Sequence, residues 1–129
     1  MINRYLETDV MTSSPTTLVV KLYEGALRNA FEARVHIEAG LIPERGKSLQ
    51  KTLAIVGELQ SSLDFERGGE IATQLHDLYS FVIDRIMEAN LKASTPAIDD
   101  AVRVLETLLE GWHQIARNPG ALATAEAAP

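Results

Sequence analysis

Apolar residues recur along most of this chain at intervals of three and four, the spacing of one face of an α-helix. Turn-forming residues divide this pattern into four segments, and the sequence lacks the sustained period-two alternation that is typical of a half-buried strand. The first segment follows Ser14-Pro15, which indicates a helix N-cap with proline at the first helical position. Its stripe consists of Val19, Leu22, Tyr23, Ala26, Ala30, Ala33 and Ile37.

Helix start and stop signals separate the remaining segments. Gly40 is a predicted C-cap, and Pro43-Glu44 opens the second helix. Ser94-Thr95-Pro96 interrupts the third helix and caps the fourth, with Asp99-Asp100 expected in the first turn, and Asn118-Pro119-Gly120 ends the fourth helix. The stripes of the second, third and fourth helices are Leu49, Leu53, Val56, Leu59 and Leu63, then Ile71, Leu75, Leu78, Val82, Ile86 and Ala89, then Ile98, Val102, Leu105, Leu109, Trp112 and Ala116.

The midpoint of the chain carries Gly68-Gly69, which predicts the turn of a helical hairpin. Glycine reaches positive φ without a Cβ penalty, and Glu70 then places a carboxylate in the first turn of a third helix that begins near Gly69. Because short connections force neighbouring helices to be antiparallel, the sequence predicts an all-α, up-down-up-down four-helix bundle. We expect a single domain over residues 1–129, with a mobile N-terminal arm at 1–13 and a disordered tail at 118–129.

The first helix carries a second apolar row, roughly 100° around its surface from the first. This row consists of Val20, Leu27, Phe31 and Val35. One stripe suffices for core packing, so the helix has apolar surface to spare. The N-terminal arm also carries apolar residues at intervals. Either these surfaces offer a groove to an amphipathic segment of another protein, or arm and row pack together and complete one core. Both alternatives hold if the arm covers this row in the free protein and a partner segment displaces it.

Composition and charge narrow the function classes. The chain has 129 residues, no cysteine and a net charge of −6, which excludes disulfides and thiolate metal sites and disfavours nucleic acid and anionic membranes as partners. The start of the chain lacks the apolar core of a signal peptide, and no apolar run approaches the ~20 residues of a membrane span. We therefore expect a cytoplasmic protein without membrane insertion. The sequence does not determine whether the protein forms homo-oligomers.

Candidate chemistry is sparse. A carboxylate-bridged di-metal site in a helical bundle needs two Glu-x-x-His motifs, and Glu110-Gly111-Trp112-His113 is the single match. A histidine phosphotransfer domain needs an exposed histidine supported by a lysine, and His36, His76 and His113 have no lysine three or four residues further on. The sequence therefore predicts neither catalysis nor a metal or other cofactor. A metal-binding or histidine phosphotransfer bundle remains the alternative to a binding protein.

Several motifs resemble, in order, those of the FliS family of flagellar secretion chaperones. They are Tyr5 followed by Val10-Met11-Thr12-Ser13-Ser14-Pro15, then Leu22-Tyr23-Glu24-Gly25-Ala26, the block from Leu63 to Tyr79 around Gly68-Gly69, Glu88-Ala89-Asn90, and Trp112. Ser13, Glu24 and Gln74 stand where the family usually has Ala, Asp and Asn, and Ser80-Phe81 stands for Asp-Tyr. The resemblance spans about Tyr5 to Ala116.

The resemblance implies a cytoplasmic export chaperone that is not an enzyme. Proteins of this family hold the disordered C-terminal segment of flagellin against premature polymerisation and deliver it to the flagellar type III export gate. In the family, this segment wraps around the bundle in partly helical form and occupies a groove that the N-terminal arm of the chaperone can cover. This implication agrees with the spare apolar surface on the first helix.

The candidate residues for flagellin or export-gate binding are Tyr5, Val10, Leu18, Val20, Leu22, Tyr23, Leu27 and Phe31. Tyr5 and Val10 follow from their matching positions on the arm. The resemblance also implies Leu18, Leu22 and Tyr23 as residues that line the groove, with core packing as their alternative role. The other three residues follow from helical spacing alone.

Overall fold

The computed structural model describes residues 15–118, nearly all of which belong to four helices. They are α1 (Pro15–Ala39), α2 (Ile42–Ser61), α3 (Phe65–Lys92) and α4 (Thr95–Arg117). Helices α1 and α3 each pack against both α2 and α4, so α1 lies diagonally opposite α3. Turns of two or three residues join successive helices, which makes them antiparallel. The predicted all-α up-down-up-down bundle is confirmed over this part of the chain.

Several predicted helix ends are confirmed. The last residue of helix α1 is Ala39, and Gly40 follows it with a φ of +70°. The N–H groups of Gly40 and Leu41 donate to the carbonyls of Ile37 and His36, which is a Schellman motif. Helix α4 begins after Ser94, whose hydroxyl accepts a hydrogen bond from the Ala97 N–H at 3.2 Å. These local signals fix the helix ends because each satisfies backbone groups that the helix leaves unpaired.

The hairpin turn does not lie at Gly68-Gly69, so that prediction was wrong. The chain turns at residues 62–64, and Asp64 caps α3 by accepting a hydrogen bond from the Arg67 N–H at 3.0 Å. Gly69 has φ +50° and ψ −122°, which kinks α3 one turn after its start. The glycine pair therefore does supply a positive φ, but within a helix. The regular part of α3 begins after Gly69, near the predicted position.

The adjacent acidic residues Asp99 and Asp100 lie in the second turn of α4 and not, as predicted, in its first turn, because the helix already begins at Thr95. Both carboxylates form ion pairs with other helices. Asp99 pairs with Arg34 of α1, and Asp100 lies 3.2 Å from Nε of Arg85 in α3. The two residues therefore tie α4 to both of its neighbours.

The core follows the predicted stripes with one main departure in α3. Its buried face runs through Ala72, Leu75 and Tyr79, whereas Ile71 and Leu78 are 40% and 37% exposed. Since residues three and four apart share a helix face, the burial of Tyr79 places Leu78 at the edge of the core. The prediction that Ile71 and Leu78 are buried was therefore wrong, and both contribute to the surface.

Candidate functional site

Tyr23 connects two diagonally opposite helices through the centre of the bundle. Its hydroxyl oxygen lies 2.5 Å from that of Tyr79, and both residues are fully buried. Burial raises the pKa of both tyrosines, so both hydroxyls stay protonated at neutral pH. Tyr23 therefore occupies the core and presents no surface to a partner.

The second apolar row of α1 is well exposed only toward the end of the helix. Val20 is half-buried, Leu27 is buried, and Phe31 is 46% exposed. Arg34 lies three residues beyond Phe31 and pairs with Asp99, so this flank borders α4. The spare apolar surface that the sequence predicts on α1 is concentrated toward the end of the helix.

The exposed end of that row includes one further side chain. Val35, which is 62% exposed, lies one turn beyond Phe31. Together Phe31 and Val35 form an apolar ridge on the outside of α1, one that the other described helices leave uncovered. We refer to these two residues as the α1 ridge.

The opposite flank of α1 faces α2. Leu18 and Leu22 are half-buried there, on the same face as Gly25. A Cβ atom at Gly25 would lie 3.4 Å from Cδ1 of Ile55 in α2, so the two helices approach closely at this point. The side chains of Leu18 and Leu22 therefore line the junction of α1 with α2 and not its junction with α4.

The six described candidates thus divide into three groups. Tyr23 and Leu27 are interior, Val20 and Phe31 flank α4, and Leu18 and Leu22 flank α2. Tyr5 and Val10 lie outside the described residues. The structure therefore does not bring the six described side chains into one groove, and among them only Phe31 is well exposed.

A second apolar surface, which the sequence reasoning missed, lies along the junction of α3 and α4. Three of its side chains project from α3 and are between 37% and 44% exposed, while three half-buried side chains of α4 lie beside them. We define the α3–α4 strip as Ile71, Leu78, Phe81, Val104, Leu108 and Ile115. The available signal was the second helical face of α3, since Leu78 and Phe81 fall outside the row that contains Tyr79.

Ion pairs identify the position of this strip and close one end of it. Arg85, four residues beyond Phe81, contacts Asp100, which precedes Val104 by four. The same arginine donates a hydrogen bond to Glu88 at 3.0 Å. This hydrogen bond, and then a second one from a neighbouring lysine, lowers the pKa of the Glu88 carboxyl. Apolar surface therefore gives way to paired charges at the end of the bundle where α4 begins.

A further apolar patch lies between α2 and α3. Met87 and Leu91 are 56% and 82% exposed, and with Leu53 they border a shallow depression that also contains polar side chains. This α2–α3 patch, defined by Leu53, Met87 and Leu91, lies on the face of α3 away from α4. It offers less continuous apolar surface than the α3–α4 strip, because Asp84 and Asn90 lie among its residues.

The residues considered for metal or phosphotransfer chemistry have other partners. Glu110 of the Glu-x-x-His motif lies 3.4 Å from Arg117, and His36 shares a 3.0 Å hydrogen bond with Ser48. Over residues 15–118, no three side chains of the metal-ligating types come together. In the same stretch, every helix is too short or too polar to cross a membrane. What the described surface offers is apolar area for contact with another polypeptide.

A four-helix bundle with uncovered apolar side chains along its helices defines a class of helical binding proteins. The family model for the flagellar protein FliS matches residues 1–119. The chain belongs to the FliS family of flagellar proteins, and the resemblance in its motifs is confirmed.

Curated relatives share most of their length with this chain. The flagellar secretion chaperone FliS of Salmonella typhimurium is 38% identical over 111 residues, which cover 85% of this chain and 82% of that protein. FliSB of Pseudomonas aeruginosa is 36% identical over 110 residues, which cover 85% of this chain and 87% of that protein. FliS of Campylobacter jejuni is 36% identical over 116 residues, or 90% and 91%. The family is one of chaperones and not of enzymes.

A crystal structure of a bacterial flagellar chaperone has the same fold. It superposes with a TM-score of 0.76 over 90% of this chain and 94% of that one, at 23% sequence identity. The two proteins therefore share one architecture although fewer than a quarter of their aligned residues are identical.

Proposed function

We propose that this protein is a cytoplasmic export chaperone that binds the disordered C-terminal segment of flagellin. It prevents that segment from polymerising prematurely and delivers it to the cytoplasmic domain of the flagellar type III export gate. Membership of the FliS family supports the proposal, as do the named secretion chaperones that are 36–38% identical to the chain. The observation that carries the binding step is the α1 ridge.

The α1 ridge fits an amphipathic client. Phe31 and Val35 expose apolar surface one turn apart, above the buried side chain of Leu27. A client helix that covers this ridge gains ~25 cal/mol for each Å² of apolar surface removed from water. Ordering a disordered client offsets part of this gain, so the contact extends beyond the ridge. The half-buried Val20, Leu18 and Leu22 supply additional contacts along the flanks of α1.

The N-terminal arm has a regulatory part in this proposal. Tyr5 and Val10, at positions that match the family signature, cover apolar surface of the bundle in the free protein and leave it when the client binds. The same arm then becomes available to the export gate. Tyr23 and Leu27 support the binding surface from within, because their burial fixes the position of α1.

Charge is consistent with a polypeptide client held mainly by apolar contacts. The net charge of −6 repels nucleic acids and anionic lipid surfaces, so neither is a partner in this proposal. No cofactor or metal takes part.

The test is calorimetric titration of the purified protein with a C-terminal fragment of flagellin. We expect micromolar or tighter binding, and at least tenfold weaker binding for the double variant Phe31→Ala, Val35→Ala, which corresponds to ~1.4 kcal/mol. The matched control is Leu91→Ala, which truncates an even more exposed side chain on the α2–α3 patch and should leave the affinity unchanged. Absence of binding by the unaltered protein at micromolar concentrations would contradict the proposal.

A further inference from the structure

We infer that the α3–α4 strip docks a short amphipathic helix of a second protein, one whose apolar face is bordered by lysine or arginine on the side that meets α3. The site is distinct from the α1 ridge, and residues 15–118 leave both surfaces uncovered. This inference goes beyond the proposed binding of flagellin and does not depend on it.

The dimensions of the strip suit a short helix. On α3 it extends from Ile71 to Phe81, a rise of ~15 Å or about three turns at 1.5 Å per residue. Helices α3 and α4 are antiparallel, and the contact of Arg85 with Asp100 sets their register. That register places Phe81 beside Val104 at one end, and the strip continues to Ile115 at the other. An apolar face with residues at i, i+3, i+4 and i+7 matches this length.

Gly111 provides room for close approach. It lies on the α4 side of the strip, three residues after Leu108 and four before Ile115, and it is exposed. A Cβ atom added at Gly111 would meet no atom within 4 Å. Glycine within a helix costs roughly 0.5–1 kcal/mol relative to alanine. The gap above Gly111 lets the backbone of a docked helix come close to α4.

The charge beside the strip defines the partner. Glu70, Asp77 and Asp84 recur every seven residues along α3 and are all exposed. They form a line of carboxylates between the strip and the α2–α3 patch, and Asp77 and Asp84 lie one turn before and one turn after Phe81 on the same helix face. Carboxylates along one edge favour a partner helix with basic residues on that edge.

The residues that border the strip most closely on α4 are uncharged. On the α4 side the exposed rim consists of Thr107, Gly111 and Gln114. A docked helix with lysine or arginine along only one border therefore has one preferred orientation, with that border toward the carboxylates of α3. A helix with acidic borders meets repulsion from the carboxylates of α3.

The strip is too small for a stable contact between two copies of this chain. Such interfaces bury ~800 Å² on each partner. Only three side chains of the strip are more than a third exposed, and the other three are half-buried. A short helix with basic residues along one border fits both the small exposed area of the strip and the carboxylates of α3.

A charged ridge separates the strip from the surface of α1. Arg103, Glu106 and Glu110 are exposed and follow one another at intervals of three and four along the outside of α4. The α1 ridge lies on one side of this charged line, and the strip lies on the other. A client on α1 and a helix on the strip therefore have no shared contact residues.

The test uses two designed peptides of about 14 residues, long enough to span the three turns of the strip. Both carry leucine at i, i+3, i+4 and i+7, and one has lysines while the other has glutamates at the positions that border this face. Fluorescence anisotropy with the full-length protein at low ionic strength gives both affinities. We expect the lysine peptide to bind at least tenfold more tightly, with the difference shrinking in 0.5 M salt as surface charges are screened.

Two sets of variants locate the site. Gly111→Leu fills the gap with a better helix-forming residue, so the fold is retained while lysine-peptide binding falls at least tenfold. The double charge reversal Asp77→Lys, Asp84→Lys alters only exposed side chains and should reverse the preference between the two peptides. Leu91→Ala, on the α2–α3 patch, is the matched control and should leave both affinities unchanged.

Other occupants of the strip give distinct results. Equal affinities for the two peptides, or no effect of Gly111→Leu, overturn the inference. So does displacement of the lysine peptide by a flagellin C-terminal fragment, since the strip would then belong to the client site. Sedimentation that reveals a dimer broken by Gly111→Leu assigns the strip to a second copy of the chain and overturns it as well.

Discussion

Tyr23 of α1 meets Tyr79 of the diagonally opposite helix α3 in the centre of the bundle. Its motif resembles one in which residues line a client groove, while its spacing with Val19 and Ala26 equally fits the core. The structure places it fully inside, with its hydroxyl 2.5 Å from that of Tyr79. Helical spacing predicts which face of α1 turns inward. It does not predict a hydrogen bond between two helices that lie diagonally opposite each other.

The buried tyrosine pair should make the protein sensitive to alkali. Burial raises the pKa of Tyr79 far above its usual value of 10. Below pH 10 the hydroxyl is protonated in both the folded and unfolded states, so its contribution to stability is complete. Above pH 10 the unfolded chain loses this proton while the folded protein retains it, so the free energy of unfolding decreases as pH rises. Urea denaturation between pH 8 and pH 11 measures this decrease.

The comparison with Tyr79→Phe isolates the contribution of one hydroxyl. This variant should lose about 1–2 kcal/mol at pH 7, because it leaves the Tyr23 hydroxyl with one partner fewer in the core. Its stability should also fall less steeply above pH 10. Identical pH dependence in the variant and the original protein would show that Tyr79 does not titrate in this way.

The hairpin between α2 and α3 shows what local signals specify at the scale of an element. The glycine pair predicts a positive φ, and Gly69 has one, but the turn itself forms where Asp64 caps the next helix. Helix α3 starts at Phe65 and is kinked at Gly69, and beyond the kink Tyr79 faces the core while Leu78 stays partly exposed. Most stripe residues of the other helices are buried or half-buried, as their spacing predicts, but Ala116 at the end of α4 is exposed.

Two glycine-to-alanine substitutions should have opposite effects on stability. Gly69→Ala forces a Cβ atom onto a backbone with φ +50° and ψ −122°, and such strain costs about 1–3 kcal/mol. Gly57→Ala, within the regular helix α2, adds a methyl group into open space and should stabilise the fold by about 0.5–1 kcal/mol. Thermal or urea denaturation of the two variants checks both signs. A stabilising Gly69→Ala would mean that the kink is absent in solution.

At the scale of the whole molecule, the apolar surface is divided among separate helix junctions. The α1 ridge and the α3–α4 strip lie on either side of the exposed charges of α4. The α2–α3 patch lies on the face of α3 away from α4. The sequence predicted four helices, their order and spare surface on α1. It did not predict the strip, because exposure of Ile71 and Leu78 depends on how α3 is rotated against its neighbours. Periodicity identifies apolar faces, and packing decides which of them are covered.

Flagellin polymerisation in the presence of the protein tests the central claim most directly. Monomeric flagellin is induced to polymerise with or without an equimolar amount of the chaperone, and filaments are measured by sedimentation. The unaltered protein should keep most flagellin in the supernatant, and the double variant Phe31→Ala, Val35→Ala should have a much weaker effect, since it lacks the α1 ridge. Filament yields that are the same with and without the unaltered protein would contradict the proposed function.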